Sequence, residues 1–265
     1  MPDEARQSLA LAADKLPSEL PLRVALFDLA LQAGDDKGMQ EAQDKILEVV
    51  KDKNDSNWLY SEARRQLQAV RRGRASMDTL PAIRKLAEQA QQQRPEWSEL
   101  LALMGEIEMM ANNLPLALQH YDKAEEVGRP APGIVAQHIR LLSMYGRFKD
   151  AGKLLDRIPE QARQQLLGPL YAEILFRSEQ TDTALKEALA ATKADPNNAQ
   201  YQYSYGQLLA RAAEDPKLKQ DRKDQLMGDA IKAMQRATEL QPDNPDAWFA
   251  LIYFFAKQKD ENQAQ

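Results

Sequence analysis

The chain has 265 residues, of which 43% are hydrophobic and 28% are charged, and its formal net charge is −5. This composition allows a sizeable core, and the acidic balance gives no basic footprint, so nucleic acid is not expected as a partner. The chain lacks cysteine, which excludes disulfides and thiolate metal sites but does not fix the compartment; the cytoplasm is slightly favoured. No apolar run reaches the roughly 18 residues of a membrane span, so no membrane contact is expected.

Small and apolar residues recur at helical spacing along almost the whole chain, and no stretch alternates like a half-buried strand. We therefore expect an all-α protein. In the first half, the spacing predicts helices over 4–16, 20–32, 39–50, 57–70, 81–92, 97–110 and 114–127. Asn112 and Asn113 mark the turn between the last two of these helices, and Gly128 and Pro130 end the second one.

The second half continues the same rhythm. It predicts helices over 134–145, 148–156, 169–178, 183–193, 198–212, 225–240 and 246–257. Residues 213–224 interrupt it with a charged, proline-containing stretch, which we expect to be an exposed insertion. The last helix is very apolar.

A repeat with a period near 34 residues underlies these helices. Ala117, Ala151 and Ala184 lie 34 and 33 residues apart. Each is followed four residues on by Tyr121, Leu155 or Ala188, and seven residues on by Ala124, Ile158 or Ala191. The set Ala230, Met234, Ala237 and Pro242 keeps the same internal spacing, displaced by the insertion. The chain is therefore predicted to be a tandem array of helix pairs.

This pattern resembles the tetratricopeptide repeat (TPR) family, strongly over 98–242 and more loosely over 20–95. The resemblance implies a right-handed superhelical solenoid of antiparallel helix pairs. First helices would line a concave face, where a partner peptide lies, and second helices a convex face. We expect one solenoid over 1–265 with repeat units at 4–17 (half), 20–52, 55–95, 98–131, 132–164, 165–198, 199–244 and 245–257 (half).

Half units at both ends have two interpretations. The chain is either a fragment of a longer TPR array, which is the favoured one, or it exposes a surface that self-associates. The apolar stretch 248–256 has no following helix to cover it and would be that surface.

The family register also names residues that face the groove. These are Glu106, Met110, Arg140, Met144, Arg177, Tyr203, Gln207, Arg211, Phe249 and Tyr253. Arg140, Arg177 and Arg211 would form a ladder that binds carboxylates of an acidic or extended partner, because guanidinium groups pair carboxylates bidentately. The alternative is a solvated helix face with Glu–Arg pairs inside the repeats, for which Glu106 and Glu173 are placed.

Other candidate sites have weaker signals. The run Arg71–Ser76 is either a phosphate-binding or kinase-recognition segment or a flexible loop, and the loop is favoured. His120 and His138 have no metal-ligand companions at suitable spacing, so both are expected to be structural. Gly-rich phosphate loops and G-x-S-x-G are absent. The sequence therefore predicts no catalytic residues, no metal, no cofactor and no enzyme activity.

The resulting hypothesis is a protein–protein interaction scaffold that binds an extended peptide or a helix in its concave groove. One alternative is a recruitment module of a larger enzyme, such as a glycosyltransferase or kinase, whose catalytic domain is not in this chain. The other alternative is a self-assembling structural solenoid.

Overall fold

The computed structural model describes the backbone of residues 2–263 and the side chains of residues 7–258. Within the described backbone there are fifteen α-helices and no strand. The predicted all-α helical-repeat architecture is therefore confirmed. The helices gather into two compact units, Met1–Ala131 and Pro132–Gln265.

The first unit contains a lone helix and three helix pairs. These are α1 (Pro2–Lys15), the pair α2 (Leu20–Ala33) and α3 (Asp36–Val50), the pair α4 (Ser56–Arg71) and α5 (Leu80–Gln93), and the pair α6 (Ser98–Met110) and α7 (Leu114–Val127). The helices of each pair pack together, and the first helices α2, α4 and α6 also touch their neighbours in turn. Side chains of successive first helices are thereby brought within reach of each other.

The second unit repeats this plan with one extra helix. It contains α8 (Pro132–Met144), α9 (Phe148–Leu154), α10 (Glu160–Leu167), α11 (Pro169–Arg177), α12 (Thr181–Ala194), α13 (Ala199–Ala213), α14 (Gln220–Leu240) and α15 (Pro245–Gln263). The first helices of this unit are α8, α11, α13 and α15. Helix α13 packs against both α11 and α15.

Three elements differ from the sequence prediction. Helix α10 was not predicted; eight residues between Pro159 and a positive-φ Gly168 are too few to give a clear period. Helix α14 begins at Gln220 inside the predicted insertion, where Gln220 Nε2 donates to Asp224 Oδ1 over 2.8 Å and little apolar surface is buried. Helix α15 continues to Gln263, beyond its predicted end at 257.

Helix termini explain why the pairs turn where they do. Asp35 caps α3 by accepting from the Gly38 backbone N–H over 2.9 Å. Asn198 caps α13 by accepting from the N–H groups of Gln200 and Tyr201. Between α6 and α7, Asn112 adopts φ +58°, a left-handed conformation that asparagine tolerates better than most residues. The predicted turn at Asn112 and Asn113 thus has its expected place.

The close contact between α6 and α7 depends on one glycine. A Cβ atom at Gly105 would lie 2.6 Å from Cε1 of Tyr121, which is itself 1% exposed and cannot move outward without leaving a cavity. Gly105 therefore lets the Tyr121 ring approach the α6 backbone closely.

We expect Gly105→Ala to destabilise the protein by about 1–3 kcal/mol, the usual range for overpacking a filled core. The measurement is urea unfolding followed by circular dichroism. Gly228→Ala is the matched control, because Gly228 also lies inside a helix but a Cβ atom added there would meet no other atom within 4 Å. That variant should gain about 0.5–1 kcal/mol from helix propensity. Equal effects at the two glycines would contradict this packing argument.

Candidate binding groove

One register position links all the first helices. The ninth residue of each is, in chain order, Asp28, Arg64, Glu106, Arg140, Arg177, Gln207 and Tyr253. Five of the predicted groove residues are in this set. The two units use the position differently, because the first three residues alternate in charge and the last four do not.

In the first unit the ninth-position charges neutralise each other. Glu106 is only 1% exposed, with Oε1 2.9 Å from Arg64 Nη1 and Oε2 2.6 Å from Arg71 Nη2. Glu106, which the sequence places in the groove, thus has its carboxylate paired with two arginines of α4. Met110, the other predicted groove residue of α6, is half-buried and packs against the core of this unit.

Asp28 extends the same network to α2. The hydroxyl of Tyr60 donates to Asp28 Oδ1 over 3.1 Å, and the Tyr60 ring is fully buried. Burial raises the pKa of Asp28 to about 6, although the charge of Arg64 and the Tyr60 hydrogen bond act in the opposite direction. Burial also raises the pKa of Tyr60 above its usual value, so the phenol stays protonated and remains a donor.

In the second unit, two arginines share one carboxylate. Arg177 Nε lies 2.8 Å from Oε1 of Glu173, and Arg211 Nη1 lies 2.7 Å from Oε2 of the same residue. The Arg211 guanidinium also lies 4.5 Å from the centroid of the Phe176 ring. Because one carboxylate faces two guanidinium groups, this trio, which we call the Glu173 fork, carries a net positive charge.

The third arginine of the predicted ladder lies elsewhere. Arg140 donates to the backbone carbonyl of Leu166 at the end of α10. The structure thus brings Arg177 and Arg211 together and directs Arg140 to a different partner. The Glu–Arg pairing that the sequence offered as an alternative is present at Glu173.

A cleft opens between α13 and α15 beside the fork, with a volume of about 310 Å³. Its floor is apolar and is formed by Ala210, Met227, Ala250 and Phe254. Its rim is polar and is formed by Gln207, Arg211, Glu214, Tyr253 and Lys257. Lys257 Nζ lies 2.6 Å from Glu214 Oε1 across one end. A concave apolar floor with a few polar groups around it is the usual form of a binding site.

Three predicted groove residues, Gln207, Arg211 and Tyr253, line this cleft, and two others lie beside it. Tyr203 accepts a 2.6 Å hydrogen bond from Gln207 Nε2, and Phe249 is largely exposed one turn before Tyr253 on α15. Met144 is also exposed, at the C-terminal end of α8. Sequence reasoning missed the floor, since Ala210 and Ala250 contribute by being small and carry no chemical signal.

The remaining sequence candidates lie away from this cleft. Arg72 and Arg74 of the segment 71–76 both contact the Asp36 carboxylate. His138 is buried, and burial lowers the pKa of His120. In the described part of the chain, no group of three or more His, Cys, Asp or Glu side chains is placed to hold a metal ion. No helix among the described residues is both long enough and apolar enough to cross a membrane.

Helix pairs that share a register position define a helical-repeat protein. Comparison with solved structures identifies the kind of helical repeat. A structure described as YrrB, a TPR protein with an unusual peptide-binding site, is 19% identical with a TM-score of 0.60, over 79% of this chain and 97% of that one. The structure of a MamA double mutant is 16% identical with a TM-score of 0.53, over 69% of this chain and 95% of that one.

A third solved structure, the Cut9–Hcn1 hetero-tetramer of the APC/C, matches with a TM-score of 0.52 and 11% identity, over 94% of this chain and 46% of that one. No protein-family model and no curated protein matches the sequence. This chain therefore has the tetratricopeptide-repeat fold, as its repeat spacing predicted.

Proposed function

We propose that this protein is a protein-interaction scaffold that binds an extended peptide or a helix along α11, α13 and α15. The observation that carries the proposal is the cleft between α13 and α15, which combines an apolar floor with a polar rim. A cleft volume near 310 Å³ is at the low end of ligand pockets. It suits one large side chain of a peptide better than a cofactor.

The charge pattern favours the second unit over the first. In the first unit the ninth-position charges form internal pairs, so a partner would have to break buried interactions to use them. In the second unit the Glu173 fork keeps one positive charge beside the cleft. The expected ligand therefore carries a large apolar side chain a few residues from an aspartate, a glutamate or a terminal carboxylate.

Selection from a random displayed-peptide library on the purified protein tests this proposal. We expect enriched peptides to pair an aromatic or aliphatic residue with a carboxylate, and their affinity to fall as salt rises. Arg211→Ala should weaken the best peptide by about tenfold, the cost of one charge-assisted hydrogen bond.

Arg140→Ala is the matched control, because Arg140 lies on a first helix but donates to the Leu166 carbonyl, away from the cleft. It should leave peptide affinity unchanged, and circular dichroism should report the same fold for both variants. Enrichment of peptides without carboxylates, or equal affinities for the wild type and Arg211→Ala, would refute the proposed site.

A further inference from the structure

Three arginines of the first unit line the same cavity. The cavity lies between the beginning of α3 and the end of α4 and has a volume of about 310 Å³. Arg65, Arg72 and Arg74 line it together with one carboxylate, that of Asp36, and its other lining residues are uncharged. We call this place the arginine cavity. It concentrates hydrogen-bond donors and positive charge in a chain whose net charge is −5.

The way in which α4 ends brings these arginines together. Arg65 lies two turns before Arg72, so both side chains leave the helix on one face. Gly73 then adopts φ +66°, and the Arg74 backbone N–H donates to the Ala69 carbonyl over 2.8 Å. This glycine cap is a Schellman motif, which turns the chain back over the last turn of the helix. Arg74 therefore reaches the same cavity as Arg72.

The arginine cavity keeps a positive charge because its arginines outnumber their carboxylate partners. Arg72 Nη1 lies 2.6 Å from Asp36 Oδ1, and Arg74 contacts the other oxygen of the same carboxylate. Arg65 donates to Glu62 through two hydrogen bonds of 3.1 and 2.7 Å. Three guanidinium groups thus share two carboxylates. Because each guanidinium carries five N–H groups, most donors of Arg65 and Arg74 remain available to a ligand.

Asp36 occupies the place where an external anion would bind. Its side chain is 49% exposed and belongs to the first turn of α3, so it can turn into solvent without opening the core. The neighbouring Asp35 caps α3 by accepting from the Gly38 N–H and does not line the cavity. A ligand that displaces Asp36 must therefore offer more negative charge and more acceptor oxygens than one carboxylate does.

We propose that the arginine cavity binds a phosphate monoester. At neutral pH such a group carries a charge of about −1.5 to −2 and three acceptor oxygens, whereas a carboxylate carries one charge and two oxygens. Guanidinium groups pair phosphate oxygens bidentately, and three arginines can hold all three oxygens. The segment 71–76, which the sequence left open between a phosphate site and a loop, supplies two of these arginines.

The rest of the lining favours a small ester over a nucleotide. Among the described residues that line the cavity none is aromatic, so a nucleobase would find no ring on which to stack. Met39 and Ala69 give a short apolar wall that suits a few carbon atoms, such as those of a phosphoserine side chain. The arginine cavity shares no residue with the peptide cleft, so neither proposal depends on the other.

Calorimetric titration of the full chain with inorganic phosphate and with O-phosphoserine, at constant ionic strength, tests the proposal. We expect dissociation constants of about 1 mM or lower, which a few charge-assisted hydrogen bonds supply. Acetate should bind at least tenfold more weakly, because it offers no more than Asp36 already provides.

Arg74→Ala should weaken phosphate binding about tenfold, the effect of losing one charge-assisted hydrogen bond. Arg74 follows the last turn of α4 and its side chain is 60% exposed, so the variant should fold, and circular dichroism checks this. Arg129→Ala is the matched control, since it removes the same charge from an exposed position after α7. Arg211→Ala should also leave phosphate affinity unchanged, which separates this site from the peptide cleft.

Asp36→Asn should tighten phosphate binding about tenfold, because the ligand no longer competes with a carboxylate for Arg72 and Arg74. Asp44→Asn is the matched control. It makes the same charge change on an exposed position of α3, two turns further along the helix, and should have little effect.

A peptide that contains phosphoserine distinguishes the two sources of the phosphate group. Tighter binding of this peptide than of free phosphoserine would assign the arginine cavity to a phosphorylated protein, and the reverse order would assign it to a small phosphorylated ligand. The proposal is overturned if neither inorganic phosphate nor phosphoserine binds below about 10 mM, ten times the expected constant. It is equally overturned if Arg74→Ala binds like the wild type, or if Asp36→Asn binds no more tightly than Asp44→Asn.

Discussion

Glu106→Ala is expected to destabilise the protein by about 3–5 kcal/mol, the usual cost of removing one partner from a buried ion pair. The variant leaves Arg64 charged, with a side chain only 15% exposed, and leaves Arg71 without its 2.6 Å contact. The measurement is the midpoint of guanidinium or urea unfolding. The loss should persist at high salt, because buried pairs are screened far less than surface pairs.

A double variant separates pairing from packing. Arg64→Met with Glu106→Leu removes both buried charges and keeps similar volumes, so it should lose less than half as much stability as Glu106→Ala. Glu173→Ala is the exposed control. Its carboxylate also contacts two arginines, but all three side chains are partly solvated, and the loss should be about 1 kcal/mol or less. A similar loss for the two alanine variants would show that burial does not decide the effect.

Asp28→Asn is expected to stabilise the protein at pH 7.5 by about 2 kcal/mol and to have little effect at pH 4. The pKa of Asp28 rises from 3.8 to about 6 on folding, mainly through burial. Between those values the folded protein binds more protons than the unfolded chain, so stability falls as the pH rises through this window and is constant above it. The shift converts to about 3 kcal/mol at full burial, and we reduce this because the side chain is half-buried.

Asparagine keeps an oxygen that can accept from the Tyr60 hydroxyl but cannot ionise, so it removes the cost of the charge. The measurement is the unfolding free energy of both proteins at several pH values between 4 and 7.5, taken as a difference so that other groups cancel.

Asp36→Asn is the control, and its effect on the free energy of unfolding should have the opposite sign. The hydrogen bond from Arg74 lowers the pKa of Asp36, so this variant should lose stability near neutral pH and the loss should fade as the carboxylate is protonated. An Asp28→Asn variant that is less stable than the wild type at pH 7.5 would contradict the pKa argument.

The sequence predicted most of the fold because its signals are local and periodic. Alanines at fixed offsets, such as Ala117 and Ala151, mark where helices approach closely, and proline and glycine mark where they end. Helix α10 was not predicted, because eight residues form little more than two helical turns and show no clear periodicity. The first turns of α14 were not predicted to be helical, because they are polar and a polar helix shows no apolar periodicity.

The binding groove was only partly predictable. Family register named Gln207, Arg211 and Tyr253, which all line the cleft, but register alone does not indicate whether a charged side chain is free or already paired. The signal for Glu106 was present in the sequence, since Asp28 and Arg64 occupy the same place on the preceding first helices and alternate in sign with it. The cleft exists because the small side chains of Ala210 and Ala250 leave space between α13 and α15. That space is evident only once the two helices are packed together.

The network from Asp28 to Glu106 also has a consequence for cooperativity. In repeat proteins each helix pair usually gains stability from its immediate neighbours, and the array can fray from either end. Here buried ion pairs and hydrogen bonds join three successive helix pairs. Detaching one helix pair would therefore remove the partners of charged groups on the next helix pair. The first unit should therefore open as a single block, with uniformly slow amide exchange in α2, α4 and α6 rather than a gradient along the chain.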